Sequence, residues 1–157
     1  MVFTSFNFLI FFPIVIVIYY LIPSRIRWHF LLLTSIFFYA NVLPLYVILL
    51  LFVSLITYLF GIIIEREKSD SKKEKFLIIG IILVFLPLFI FKYYDFVNEM
   101  IFNFMEYFSI RFPLPKLNLL LPVGISFYTF MAIGYLFDIY NEEIKAEKNI
   151  GLITLFL

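Results

Sequence analysis

Cysteine is absent from this chain of 157 residues, and histidine and tryptophan occur once each. Without thiols there is no disulfide, no thiolate nucleophile and no cysteine-based metal site, and the composition gives no clue to redox compartment. Charge is scarce too: 15% of residues are charged and the formal net charge is +1. That balance supplies no broad basic field, so nucleic acid is not an expected partner. No Ser/His/Asp set, metal-ligand spacing, GxGxxG or Walker pattern occurs, and the seven prolines and five glycines are scattered. No residue is therefore expected to be catalytic, and no cofactor or metal is expected. His29 lies beside Trp28 and close to Arg25 and Arg27, with no adjacent nucleophile or carboxylate. It reads as an anchor at headgroup level rather than a general base.

Apolar side chains are abundant instead: 64% of residues are hydrophobic, and mean hydropathy is +1.08. Soluble domains sit near half apolar and a quarter charged. One small globule has no room to hide this much Leu, Ile and Phe from water, whereas lipid removes the need for polar outer faces. The expected class is an all-α, polytopic membrane protein, because in hydrocarbon a helix satisfies its own backbone. No Lys or Arg precedes Arg25 and no small-residue cleavage site follows the first apolar run. That run reads as a retained helix rather than a secretory signal.

A crossing helix needs about 20 apolar residues. About five spans are expected, at 6–22 with a kink at Pro13, 28–42 with Trp28 at the interface, 45–64, 76–94 and 122–140. Asn41 to Pro44 reads as a tight turn, EREKSDSKKEK as a charged loop, and Lys92-Tyr93-Tyr94 as the interfacial end of the fourth span. In 95–110, Phe96, Val97, Met100, Ile101, Phe104 and Phe108 share one helical face, and Asp95, Asn98, Glu99, Asn103 and Glu106 the other. This stretch is expected to be an amphipathic helix lying in the membrane surface. The final GLITLFL opens a further span that stops after seven residues. The chain therefore reads as one domain over 1–157, the N-terminal part of a larger helical ring.

Counting Lys and Arg between spans sets the orientation. With the N-terminus outside, the inner loops carry nine (Arg25, Arg27, Arg66, Lys68, Lys72, Lys73, Lys75, Lys145, Lys148) and the outer side three (Lys92, Arg111, Lys116). The expected location is a cell membrane, multi-pass, N-terminus out.

LPVGISFYTF, residues 121–130, is apolar enough for lipid yet holds Pro122, Gly124, Ser126, Tyr128 and Thr129, and its continuation ends on Asp138. At helical spacing Gly124, Tyr128, Met131, Tyr135 and Asp138 share a face. A tyrosine hydroxyl below the headgroups needs a partner, so that face should meet protein or a wet cavity. The residues alone leave helix packing and cavity lining both open.

At these residues the chain resembles the membrane-bound O-acyltransferase family, in its branch for alginate O-acetylation and D-alanyl transfer. FTSFNFLIFFPIVIVIYYLIPSRIRWHFLLLTSIFFYA, YVILLLFVSLITYLFG with LFIFKYYDF, and LPVGISFYTFMAIGYLFDIY carry the likeness. It implies a ring of helices around a funnel with a central histidine. An acyl group, expected to be acetyl, comes from a donor on the cytoplasmic side. It passes to an extracellular polysaccharide, with or without a periplasmic or extracellular transfer protein. The family's histidine would lie after this segment, and His29 does not match it, so the chain alone is expected to be inactive. Ser126, Tyr128, Thr129, Tyr135 and Asp138 are the expected funnel-lining residues. Met131, Thr57 and Asn141-Glu142 depart from the family's more usual glutamine, aspartate and basic residues. The competing expectation is a non-enzymatic membrane protein, such as a transporter subunit or an assembly partner.

Overall fold

Long runs of Leu, Ile and Phe satisfy their backbone groups internally only as helices. The computed structural model of the chain describes residues 6–41, 44–107, 122 and 124–157, and among them it holds helices and no strand. Helix α1 spans Phe6–Leu21 and runs through Pro13. A short 3-10 turn, Ser24–Ile26, leads into α2, Arg27–Ala40. Then follow α3 (Pro44–Arg66), α4 (Asp70–Tyr107), α5 (Ile125–Tyr140) and α6 (Ile150–Phe156). Two stretches, Pro44–Arg66 and Asp70–Tyr94, are long and apolar enough to cross a membrane, while Phe8–Leu21 and Ile125–Tyr140 are shorter apolar helices.

The packed centre is a triangle of α3, α4 and α5. Hydrocarbon gives helices no hydrophobic reason to associate, so close contact depends on small residues and shape. Gly61 on α3 is such a point: a Cβ there would lie 3.1 Å from Ile139 Cδ1 and 3.3 Å from the Tyr135 ring. Gly80 on α4 sits as tightly under Phe60, at 3.1 Å, and Leu136, at 3.2 Å. Around these contacts Val53, Ser54, Thr57, Val84 and Ala132 are wholly buried. Helix α6 packs on α2 and α3, with Trp28 over Gly151. Helix α1 touches only α2 among the described residues, through rings such as Phe8 and Phe38, 5.5 Å apart.

Three expectations from the sequence are corrected here. The charged stretch is not a long loop: only Glu67, Lys68 and Ser69 separate α3 from α4. Glu, Lys and Arg favour helix, and Asp70 in the first turn of α4 suits its positive end. Second, the amphipathic stretch is no separate element, since α4 continues unbroken to Tyr107; residues 108–110 lie outside the described residues. No Gly or Pro occurs from 88 to 112, so nothing local ends the helix when its pattern changes. Lys92 is accordingly in mid-helix, its ammonium 5.5 Å from the Tyr93 ring centre, and not at a helix end. Third, α5 starts at Ile125 and not Pro122, because Gly124 takes a left-handed conformation with φ 83° that ends any helix run. The expected turn at Asn41 to Pro44 falls partly, and the RFPLPKLN break wholly, outside the described residues.

Candidate functional site

Helix α5 presents Ile125, Tyr128, Thr129, Ala132, Leu136 and Ile139 to the protein, and turns Phe127, Phe130 and Phe137 outward. This alternation at helical spacing puts polar atoms inside. The Tyr128 hydroxyl and Thr129 Oγ1 are both buried without a hydrogen-bond partner. Tyr39, near the end of α2, faces Tyr128 closely enough for the two phenols to influence one another. Most buried polar groups in folded proteins are paired, so two orphans in adjacent positions mark an unusual spot.

Beside it lies a cavity of about 470 Å³ between the α1–α2 arm and the ends of α5 and α6. Aromatic side chains dominate its wall, including Phe8, Phe12, Phe38 and Phe127, with Tyr39 and Tyr128 among the polar residues. Thr34 and Thr154 also line it, but each hydroxyl already donates to a carbonyl of its own helix, Phe30 O at 2.6 Å and Ile150 O at 2.9 Å.

The five residues singled out from the sequence do not form one cluster. Tyr128 lines the cavity; Thr129, its neighbour, is fully buried, and Ser126 is half-buried in the first turn of α5. Tyr135 works two turns away, where its hydroxyl accepts the Glu147 N–H at 2.7 Å and its ring meets Phe156. Asp138 is half-buried near the end of α5, and its main-chain oxygen accepts the Glu143 N–H at 2.9 Å.

Tyr135 belongs to a second cluster, at the end of the bundle where α5 stops. The loop 141–149 is tied there by several bonds. The Ala146 N–H donates to Glu65 Oε1 at 3.3 Å, and the Tyr58 hydroxyl donates to Lys148 O at 3.2 Å. Lys73 Nζ meets Glu142 Oε1 at 2.7 Å and also faces the Tyr140 ring at 5.6 Å. Lys73 beside it holds the exposed Glu142 carboxyl below its ordinary value. Glu142 is itself left-handed, φ 62°. The Glu143 N–H reaches Asp138 O, and the Glu142 N–H reaches Ile139 O. This is the helix-ending geometry that usually selects glycine. The stretches 23–27, 67–75 and 141–149 thus share one end of the molecule, through Trp28 at Gly151 and Lys73 at Glu142. Together with Arg66, the last residue of α3, these stretches carry the nine basic residues of the inner-loop count.

His29 is exposed and stacks on Trp28. Among the described residues no group of three or more His, Cys, Asp or Glu side chains converges as a metal site. The polar neighbours missed by sequence reasoning are Tyr39 and Glu65. Tyr39 lay inside an apolar run and Glu65 inside a charged one, so neither stood out.

Among the described residues, helices alone, two of them long and apolar enough to cross a membrane, fit an integral membrane protein of the helical kind. Comparison with characterised proteins is more specific. The chain is 33% identical over 152 residues to the probable alginate O-acetylase AlgI of Pseudomonas aeruginosa, covering 96% of this chain and 29% of that protein. The AlgI protein of Azotobacter vinelandii is 32% identical over 152 residues, covering 96% of this chain and 30% of its own length. The peptidoglycan O-acetyltransferase of Helicobacter pylori is 34% identical over 113 residues, covering 72% of this chain and 20% of its own length. No family model and no solved structure matches. The chain belongs to the membrane-bound O-acyltransferase family, and it spans about three-tenths of the length of the AlgI relatives it matches.

Proposed function

We propose that this chain is the N-terminal scaffold of a multi-pass membrane O-acyltransferase that acetylates a carbohydrate polymer outside the cell. The observation that carries the reading is the match to two kinds of O-acetylating protein, one named for alginate over 96% of the chain and one for peptidoglycan over 72% of it. Both polymers are built from sugars, so a sugar hydroxyl is the acceptor class common to them. An acyl donor approaches from the cytoplasmic side, and an external transfer protein is a partner of the same scheme. The clustering of the basic loops at one end supports an N-terminus outside, with that end in the cytoplasm. In this arrangement Ser126, Tyr128, Thr129, Tyr135 and Asp138 border the reaction funnel, and the 157 residues supply wall and scaffold without the base.

A chimera tests this. The matching segment of Pseudomonas aeruginosa AlgI is replaced by this chain, and alginate O-acetyl ester content is measured in cells lacking the native protein. Restored ester content is expected, with none from this chain expressed by itself. A chimera that inserts at normal abundance yet gives no ester would overturn the reading. A defined oligomer of this chain alone that conducts solute flux in liposomes would replace it with a transporter.

A further inference from the structure

The Tyr128 hydroxyl, which faces the Tyr39 phenol, is held at 3% residue exposure without a hydrogen-bond partner, on the wall of a mainly apolar cavity of about 470 Å³. We infer that this cavity is a binding site for one bilayer glycerolipid, whose ester carbonyl accepts from Tyr128 while an acyl chain lies along Phe8, Phe12 and Phe38. The inference does not depend on acetyl transfer.

Three observations select this occupant. The first is where the buried polarity lies: apart from Ser35, which is exposed, the hydroxyls not turned onto their own helices sit together at one end. Tyr128 is four residues into the segment that begins at Gly124, and Tyr39 is next to the end of α2. The hydroxyls of Thr34 and Thr154 are already turned onto their own helices. A molecule with an acceptor at its tip and hydrocarbon behind it matches that distribution. Second, the dimension fits. The lining residues on α2 run from Leu31 to Tyr39, which at ~1.5 Å per residue is about 12 Å, close to the ~15 Å of hydrocarbon in one leaflet. Third, the other occupants serve the hydroxyl badly. A spanning helix has its backbone carbonyls already bonded. A water needs two to four polar partners, which a wall made mostly of phenylalanine and leucine does not offer. The wall is also open to lipid, since Phe12 and Phe127 are 53% and 71% exposed.

The test uses the chain reconstituted in dioleoyl-phosphatidylcholine nanodiscs containing a trace of phosphatidylcholine with a diazirine on one acyl chain. After irradiation, adducts are mapped by peptide mass spectrometry. Labelling on Phe8, Phe12, Phe38 and Phe127 is expected to exceed that on exposed Phe104 and Phe130 several-fold, and to survive a detergent wash before irradiation. Tyr128→Phe should lower the retained lipid about fivefold, the worth of one neutral hydrogen bond. Ser35→Trp, at an exposed position on the rim, should abolish cavity labelling while helicity by circular dichroism stays unchanged. Equal labelling of all outward apolar faces would overturn the inference, as would retention unaffected by Tyr128→Phe. The same labelling in the AlgI chimera separates lipid from protein: adducts on these residues support the site, and their absence in an inserted chimera assigns the cavity to a protein segment. Ester content does not enter this readout, so the two readings fail independently.

Discussion

The α3–α4–α5 triangle and the α1–α2 arm are built from similarly apolar sequence, yet one is tightly packed and the other stands off around a cavity. Hydrophobicity does not separate them. The triangle places Gly61, Gly80, Ser54, Thr57 and Ala132 at its contacts, whereas the α1–α2 seam is a row of phenylalanine rings such as Phe8, Phe11 and Phe38. In lipid, a large side chain gains little by moving from acyl chains to protein, so what brings helices together is backbone approach and shape. Small residues permit that approach; bulky rings hold helices apart and leave a gap.

The sharpest way to break this comparison is to open a hole in the triangle. Leu136→Ala, at a fully buried site, should cost about 2 kcal/mol or more, because the cavity left behind stays empty. Phe12→Ala, half-exposed on α1, should leave the unfolding midpoint in detergent nearly unchanged. Equal losses at both sites would erase the distinction between the two regions.

Overpacking gives the next largest effect. Gly80→Leu drives side-chain atoms into Phe60 and Leu136 and should cost about 1–3 kcal/mol. Gly134→Leu makes the same change on the same bundle where nothing lies within 4 Å of the new Cβ. Thermal unfolding should separate the two clearly, and the Gly134 variant should be at least as stable as the parent because leucine favours helix.

A smaller effect is expected at the loop 141–149. Tyr135→Phe removes the acceptor of the Glu147 N–H and should cost about 1 kcal/mol, read as faster hydrogen exchange at Glu147. The smallest concerns Lys73 and Glu142. The Glu142 carboxyl is lowered by Lys73, so its contribution is complete above the ordinary carboxylate value of 4.5 and fades as pH falls through the depressed one. An acid titration should show a slight stability loss in that window, screened by salt and absent in Lys73→Met.

Several elements were legible from residue order. α1 and α3 begin and end within a residue or two of where the apolar runs do, since Pro23 and the charged residues after Ile64 mark real boundaries. Helix α4 shows the limit: the change from uniformly apolar to amphipathic sequence after Tyr94 looks like a boundary, yet the helix runs on to Tyr107. Periodicity reports which face meets which medium, and a helix can change medium without ending. Of the site, Tyr128 was visible because a phenol inside an apolar run demands a partner. Its association with Tyr39 was not visible, because a contact 89 positions distant (128 minus 39) leaves no local pattern.

Composition alone determined that these residues form helices suited to lipid, since hydrocarbon accepts only backbone that bonds to itself. It also determined, by the placement of Lys and Arg, which loops belong together. Only the tertiary structure decided that α5 splits its polar residues between two ends, Tyr128 at a cavity and Tyr135 at a loop. The cause is steric: which neighbour reaches a given turn of α5 depends on where glycines on α3 and α4 let those helices close in, and that is a property of the packed bundle.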